Sequence, residues 1–290
     1  MGSERLAVSK TYKLFIGGKF PRSESGRTIP VGPDHTGAAA HVGWASRKDL
    51  RDAVAAARKA QEGWANATAY NRGQVLYRMA EMLEGKRAEF AAALASPPGS
   101  PNADAEITAA VDRLVRFGGW ADKYAQVLGC NNPVAGPYYN FTTPEPTGVV
   151  AAVAPDEPPL LALVTLIAAP LCAGNAVVAV SGESPAALLS AAIFGEVLAT
   201  SDVPAGVVNI LTGRRDELIP FIAGHRDIDA VAAAGMSDDH ARALREGAAE
   251  NVKRVTVRDG VDWWNDDDSA SPWSIEPFVE FKTVWHPSGA

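Results

Sequence analysis

The stretch that decides the fold is Gly148–Ala154 (GVVAAVA), an uncharged run of small and β-branched apolar residues. A second run of the same kind follows at Ala176–Ser181 (AVVAVS), after a segment of helical length. Strands that are apolar on both faces are typical of a parallel sheet covered by helices on each side. The two runs and the segment between them therefore predict a βαβ unit.

The alternation of strand and helix patterns continues toward the C-terminus. Three more short strands are predicted, at Val207–Leu211, Asp229–Ala234 and Arg254–Val257. Helices are predicted between the strands, at Pro159–Ala173, Pro185–Thr200, Asp216–Gly224 and Asp238–Glu250. This order predicts an α/β fold with a doubly wound, Rossmann-like parallel sheet over residues 148–260.

Residues 1–137 are interpreted as an N-terminal strand and helical layer. An entry hairpin is predicted around Tyr12–Phe20, because Gly17-Gly18 is a turn signal. Ser46 stands three residues before Asp49, which is typical of a capping box at the start of a helix. Two further helices are predicted later in this layer, at Asn71–Leu94 and from Asp104 to Trp120.

The pattern changes again after Gly260. Residues 261–276 are so acidic and irregular that they are interpreted as a linker rather than a core element. Residues 277–287 alternate apolar and charged side chains and predict an amphipathic strand that ends at Pro287. Residues 138–147, with 148–150, are interpreted as a hairpin.

Composition excludes several classes of function. With 27 Lys and Arg residues against 34 Asp and Glu, the net charge of −7 disfavours a nucleic-acid partner. The apolar stretch Leu160–Ala173 is shorter than the roughly 20 residues that span a bilayer, and Met1–Lys10 lacks the apolar core of a secretion signal. Cys130 and Cys172 lack CxxC spacing, as a reducing compartment allows. We expect a cytoplasmic protein without a membrane anchor.

The loops after the strands are the candidate sites, because ligands of a doubly wound sheet bind beyond the carboxyl ends of its strands. The carboxylates of the 155–159 loop (PDEPP) diverge too far for an acid–base dyad and are interpreted as charges near a helix N-terminus. Ser184 is either a helix N-cap or the nucleophile of a serine hydrolase, since residues 181–186 (SGESPA) approach the GxSxG elbow. Residues 212–215 (TGRR) offer two arginines to an anion at a helix N-terminus. Arg258 is interpreted as part of a solvated surface pair.

No metal or nucleotide motif accompanies these loops. The histidines show no metal-ligand spacing, and the sequence contains neither a Walker nor an HExxH motif. Cys172 lies inside an apolar helix, which favours inert burial in the core over catalysis.

Three motifs in series are similar to those of the aldehyde dehydrogenase superfamily. They are Glu145–Val150 (EPTGVV) with Pro155 and Pro159, Ala173–Val178 (AGNAVV) and Pro204–Gly213 (PAGVVNILTG). Ala60–Trp64, Arg72 and Glu250–Val257 (ENVKRVTV) extend the similarity over nearly all of residues 14–257. The resemblance implies a Rossmann-like domain of the aldehyde dehydrogenase type, oligomerisation strands at 138–147 and 277–287, and NAD(P) as the family's cofactor.

The resemblance also assigns functional positions, and most of them are changed in this chain. Glu157 replaces the family's asparagine that donates to the developing oxyanion, and a carboxylate there would repel that charge. The family's general-base glutamate falls on Arg258, which cannot accept a proton. Val180 replaces the lysine that contacts the cofactor ribose. The resemblance leaves four vestigial cofactor positions, Pro155, Glu183, Gly213 and Gly235, so we expect either no NAD(P) binding or weak binding.

The family's nucleophilic cysteine has no counterpart, because both cysteines of this chain precede its position. The resemblance therefore implies that the catalytic domain is absent, as if excised internally after Gly260. We hypothesise a non-catalytic relative, inactive alone, that serves as a structural or regulatory subunit. The alternative is an NAD(P)-binding oxidoreductase that acts on aldehydes with an altered site.

The family's C-terminal strand joins the catalytic-domain sheet of a neighbouring subunit. This chain has such a strand but lacks the acceptor sheet, so the resemblance implies a hetero-oligomer with a full-length aldehyde dehydrogenase subunit. The alternative is that the strand pairs within its own chain, on a hairpin of Tyr138–Phe141 and Thr147–Val150.

Overall fold

The computed structural model describes residues 9–32, 40–96 and 99–289, so most of Met1–Lys10 lies outside the described residues. The strands are β1 (Lys10–Tyr12), β2 (Thr28–Val31), β3 (Ala40–Gly43), β4 (Cys130–Asn132), β5 (Tyr138–Pro146), β6 (Val149–Val153), β7 (Ala176–Val180), β8 (Val208–Leu211), β9 (Ala230–Ala234), β10 (Arg254–Arg258) and β11 (Val279–Pro287). The helices are α1 (Arg47–Ala65), α2 (Ala69–Gly85), α3 (Arg87–Leu94), α4 (Ala103–Trp120), α5 (Tyr124–Leu128), α6 (Leu161–Cys172), α7 (Pro185–Leu198), α8 (Arg215–Gly224), α9 (Asp238–Gly247) and α10 (Asp266–Ser269).

The central sheet is parallel, with the strand order β10-β9-β6-β7-β8. Every residue of β6, β7, β8 and β9 is buried, because helices cover both faces. The doubly wound sheet is confirmed, and each predicted strand lies within about one residue of the observed one. The strand order reverses between β6 and β9, so the carboxyl ends of these two strands form the topological switch point.

Two apolar clusters fill the space on either side of the sheet. One cluster packs α1, α8 and α9 against the sheet through Leu50, Val54, Leu218 and Leu244. The larger cluster packs α6 and α7 against the other face, with α2, α3 and α4 as a further layer outside them. None of the helices in the described residues is long and apolar enough to cross a membrane.

Local signals set the helix boundaries. Ser46 and Asp49 form the predicted capping box of α1, and the side chain of Ser184 caps α7 by accepting from Ala187 N at 3.3 Å. The single helix predicted at Asn71–Leu94 is wrong, because Lys86 leaves the helical region at φ −105° and ψ 17° and separates α2 from α3.

The predicted entry hairpin is only partly present. Gly17 and Gly18 have positive φ angles of 61° and 73°, and Ile16 and Lys19 exchange two backbone hydrogen bonds of 2.9 and 3.1 Å across them. The turn is therefore confirmed, but β1 runs parallel to β3 instead of pairing across this turn. Phe15, which follows β1, is hydrogen-bonded to Ile210 at the edge of the central sheet.

The hairpin predicted at residues 138–147, with 148–150, is not formed, and a role of this segment in oligomerisation stays a prediction. Residues 138–146 form one continuous strand, β5, which lies between β4 and β11 in a three-stranded antiparallel sheet. The chain changes direction at Gly148, where φ is +138°, and enters the central sheet as β6. The amphipathic C-terminal strand is confirmed as β11, and it pairs within its own chain from Val279 opposite Pro146 to Pro287 opposite Tyr138.

The interpretation of residues 261–276 as an irregular linker is also wrong. The segment contains α10 and a short 3₁₀ turn, a second 3₁₀ turn begins at its last residue, Glu276, and the segment buries Trp263, Ala270 and Ile275 in the core. Its acidic side chains meet cations from a distant helix, since Asp266 pairs with Arg113 at 3.3 Å and also with Arg116. The acidic composition of the segment suggested that it is exposed to solvent, because the local sequence does not show that Arg113 and Arg116 on α4 pair with it.

Candidate functional site

The switch point is occupied by the guanidinium group of Arg215, the first residue of α8. Its Nη2 donates to Ala154 O at 2.8 Å, after β6, and its Nη1 donates to Gly235 O at 3.4 Å, after β9. The same group forms an ion pair with Asp156 at 3.2 Å, and only 9% of Arg215 is exposed. A protein cation therefore bridges the carboxyl ends of the two strands where a ligand of this fold would enter.

The carboxylate of Asp156 ties the loop after β6 to the loop after β7. Its Oδ1 accepts from the backbone N–H groups of Glu183 at 2.6 Å and Ser184 at 2.7 Å, at the N-terminus of α7. These free N–H groups are the kind that bind a phosphate or another anion, and here the chain supplies the anion itself. A Cβ added at Gly182 would lie 2.5 Å from Pro155 O, so the two loops are in close contact.

Glu183 is likewise engaged by groups of its own chain. Its Oε1 accepts from Arg215 N at 2.7 Å, at the start of α8, and its Oε2 pairs with Arg214 at 3.0 Å. The two arginines therefore contact carboxylates of the chain itself, those of Glu183 and Asp156, and their binding of an external anion stays a prediction. Arg214 also lies over the ring of Trp44, 5.8 Å from its centroid.

The two glycines of the candidate site differ in position. Gly235 has a φ of +64°, and a Cβ there would lie 2.9 Å from Pro155 Cβ, so the loops after β6 and β9 touch. Gly213 instead faces Ala45 and Leu218, where a Cβ would meet side-chain carbons at 3.5 and 3.3 Å. The structure therefore brings Pro155, Glu183 and Gly235 together around Arg215, while Gly213 supports the loop from the side.

The residues at this crevice do not fit a dinucleotide. The carboxylate of Glu183 is already used by Arg214 and Arg215, and Val180 is fully buried in β7 with no polar group to offer. The Asp156 carboxylate occupies the N–H groups at the start of α7, where its negative charge would repel a pyrophosphate, and the Arg215 cation is already paired with it. Whether NAD(P) binds weakly stays a prediction.

The two positions that the resemblance assigned to catalysis lie in different surroundings. Glu157 is exposed and lines a cavity of about 260 Å³ beside the crevice. Arg258 is not the solvated surface residue that we predicted: it is half-buried at the end of β10 and donates to Asp268 O at 3.4 Å. Burial lowers the pKa of Arg258, and the nearby Asp268 carboxylate opposes this shift.

Neither cysteine is placed to act as a nucleophile at the crevice. Cys172 is fully buried in α6, and burial raises the pKa of its thiol to about 12, which outweighs the opposite effect of Arg72. Cys130 is exposed, but it lies in β4 of the three-stranded sheet and donates to Asn132 Oδ1 at 3.2 Å. Within the described ranges, no three His, Cys, Asp or Glu residues are grouped as metal ligands.

Two contacts that cap helix N-termini have no signal in the local sequence. Asp156 lies in the loop that leads into α6, but its carboxylate caps the N-terminus of α7 across the crevice. The N-terminus of α6 is capped instead by Glu106 from α4. Glu106 Oε1 accepts from Leu160 N at 2.7 Å and from Leu161 N at 3.1 Å. Both contacts join residues far apart in the chain, so only the folded arrangement reveals them.

Comparison with known proteins agrees with this architecture. Residues 20–262 match the family described as "Aldehyde dehydrogenase family". The chain is 36% identical over 259 residues to retinal dehydrogenase 2 of Mus musculus, covering 87% of this chain and 49% of that protein. It is 34% identical over 260 residues to the mitochondrial benzaldehyde dehydrogenase of Antirrhinum majus, covering 87% of this chain and 48% of that protein. The structure of the NAD+ complex of aldehyde dehydrogenase from Bacillus cereus superposes with a TM-score of 0.80 at 31% identity, covering 87% of this chain and 51% of that one.

Proposed function

From the premise that this chain belongs to the aldehyde dehydrogenase family, we propose that it is a non-catalytic relative that acts as a structural or regulatory subunit of a full-length aldehyde dehydrogenase. The observation that carries this proposal is the bridge from Arg215 to Asp156 across the switch point. The family's fold is present, and the side chains of Arg215 and Asp156 pair at the switch point, where a ligand of this fold binds, which supports a non-catalytic role.

The proposal extends to how the chain is divided. The chain spans about half the length of the curated relatives that it matches, so their activities do not carry over to it. In our proposal, residues 1–137 and 148–260 form the cofactor-type domain, residues 138–147 and 277–287 contribute oligomerisation strands, and 261–276 connects them in place of a catalytic domain. The pairing of Asp266 with Arg113 and Arg116 supports a connection that packs on the domain rather than leaving it.

The three-stranded sheet supports the proposed partner. Tyr138, Phe281 and Trp285 expose 46%, 42% and 58% of their surface on it, and Tyr138 and Trp285 are in edge contact at 5.8 Å. Exposed aromatic side chains on one sheet are typical of protein interfaces. Because β11 is satisfied within its own chain on one side, the partner would add to the sheet already formed by β4, β5 and β11.

A nicotinamide titration tests the closed crevice. NADH fluorescence should show no saturable binding at micromolar cofactor, because a dinucleotide would first have to displace the Arg215–Asp156 pair. Saturable micromolar binding that disappears on Glu183→Gln, but persists in the exposed control Glu276→Gln, would instead favour the oxidoreductase alternative.

Co-expression tests the partner. Light scattering of the chain with a full-length aldehyde dehydrogenase should detect a mixed oligomer, and Phe281→Ser with Trp285→Ser should weaken it. Tyr70→Ser is the matched control, because Tyr70 is 71% exposed on α2, away from the three-stranded sheet. A chain that remains monomeric and never co-purifies with the enzyme contradicts the subunit role.

A further inference from the structure

A cavity beside the crevice is lined by acidic, proline and aromatic side chains. It is formed where the approach to α4, the loop after β6 and the segment after β10 meet, and its volume is about 260 Å³. Its described walls are Gly99–Pro101, Glu106, Glu157–Pro159 and Trp264. They combine two carboxylates, proline rings and an indole, and no Lys, Arg or His is among them.

The inner carboxylate of the cavity is incompletely satisfied. Glu106 is fully buried, and its Oε1 accepts from the two N–H groups at the start of α6. Its Oε2 is buried without a hydrogen-bond partner in the part of the chain that the structure describes. A buried carboxylate oxygen without a partner is costly, so a donor from outside the chain is expected to satisfy it.

The outer carboxylate and the indole lie at the mouth. Glu157 is exposed, and it forms no ion pair within the described ranges. Trp264 exposes 49% of its surface and lines the same cavity. An indole face attracts a cation, and proline rings offer apolar contacts to a short alkyl chain. The walls therefore suit a ligand with a positive charge at one end of a small apolar body.

We propose that this cavity binds the ammonium group of a small alkylamine, with Glu106 and Glu157 as the acidic partners and Trp264 as the aromatic wall. An ammonium group has three donors and no acceptor, which matches a site that offers acceptors. The resemblance places the family's oxyanion donor at the position of Glu157, so the polarity of this position is inverted. The proposal does not depend on the partner or on the closed crevice.

Calorimetric titration of the full chain with n-butylammonium chloride tests the proposal, with 1-pentanol as the uncharged ligand of similar size. The amine should bind at least about tenfold more tightly than the alcohol, because a charge-assisted hydrogen bond contributes more than a neutral one. Glu157→Gln should weaken amine binding by about tenfold, and Trp264→Leu by about threefold. Glu276→Gln, which removes the same charge from an exposed position elsewhere, should leave it unchanged.

A second ligand distinguishes the source of the ammonium group. Nα-acetyl-lysine methylamide carries the same alkylammonium group on a blocked backbone. If it binds as tightly as butylammonium, the natural ligand is a protein side chain. If only butylammonium binds, the natural ligand is a free amine. Glu106→Gln reports on the buried carboxylate, and because Glu157 is exposed, Glu157→Gln keeps the test valid if the buried variant fails to fold. The proposal is overturned if no amine binds, or if Glu106→Gln and Glu157→Gln both leave amine binding unchanged.

Discussion

At the switch point, single residues of this chain make the contacts that a ligand makes in other proteins of this fold. The Asp156 carboxylate accepts from the N–H groups at the start of α7, where other helices bind a phosphate. Arg215 donates to a carbonyl group at the end of β6. Each group satisfies the other, so the cluster is stable without a ligand. The Arg215 side chain is nearly buried and that of Asp156 is 41% exposed, so removing the Asp156 carboxylate leaves a nearly buried cation without its partner, which is destabilising.

Replacing Asp156 with Ala should therefore destabilise the fold. The change removes the acceptor of two N–H groups and leaves the nearly buried Arg215 without its carboxylate. We expect the free energy of unfolding to fall by about 2–3 kcal/mol, because side-chain Asp156 itself is partly exposed and solvent screens part of the loss. Urea denaturation measures this. Asp259→Ala, at an exposed position, is the control, and an equal effect in both variants would contradict the assigned role.

Lys253 closes the C-terminus of α8 in a similar way. Its Nζ donates to Ile222 O, Ala223 O and His225 O at 3.1, 2.7 and 2.8 Å, and only 4% of the residue is exposed. Burial lowers the pKa of Lys253 to about 8, and the carboxylates of Asp229 and Glu250 oppose this shift. Lys253→Met should reduce the free energy of unfolding by about 2–4 kcal/mol, because three carbonyls lose their donor.

Thermal and urea unfolding of Lys253→Met, compared with Lys59→Met on the exposed surface of α1, measure the effect of this cap. Hydrogen exchange should accelerate in the last turn of α8 before it does in β9. Unchanged exchange in α8 would show that the three carbonyl contacts contribute nothing.

At the scale of elements, the sequence pattern predicts the features that depend on neighbouring residues, such as the positions of strands, but not the pairing of distant strands. The strands β6 to β10 have apolar runs and turn residues that are visible in the sequence, so their positions were predictable. The pairing of β11 with β5 joins residues more than a hundred positions apart, and no local pattern reports it. The same holds for the candidate site: its loops were predictable from the strand ends, but the Arg215–Asp156 bridge was not.

The acidic segment 261–276 illustrates this difference and supports a test. Trp263 is 7% exposed, and its carbonyl accepts from Arg113 at 2.8 Å. Trp263→Ala should destabilise the protein by about 3–4 kcal/mol through the cavity that it leaves. Trp264→Ala, the neighbouring residue that is 49% exposed, should cost far less. Limited proteolysis should cut 261–276 in the Trp263 variant alone, and equal cleavage in both variants would mean that the segment is not anchored through Trp263.

At the scale of the whole molecule, distant layers are held together by a few charged contacts around the apolar clusters. Glu196 on α7 pairs with Lys10 of β1 at 3.0 Å and with Lys86, between α2 and α3, at 2.9 Å. It thereby joins β1, the helical layer and α7, which packs on the central sheet. The residue is far from the crevice, so its effect on stability can be measured separately from ligand binding.

The pH dependence of this junction follows from the direction of its pKa shift. Burial alone would raise the pKa of Glu196, but the ammonium groups of Lys86 and Lys10 outweigh burial and hold the pKa below its ordinary value of 4.5. A carboxyl whose pKa is lower in the folded state stabilises the fold above the unfolded-state pKa, and this stabilisation is lost as the pH falls through the folded-state pKa.

We therefore expect Glu196→Gln to lower the free energy of unfolding by about 0.5–1 kcal/mol at pH 7, a modest figure because the three side chains are partly exposed. The difference from the unaltered protein should shrink as the pH falls below 4.5, because the native carboxyl then becomes neutral like the amide. Urea unfolding across this range measures it, with Glu62→Gln on the exposed surface of α1 as control. Salt should also reduce the difference at pH 7, since mobile ions screen exposed pairs. A difference that stays constant down to pH 3 would show that Glu196 stabilises the junction through packing rather than through its charge.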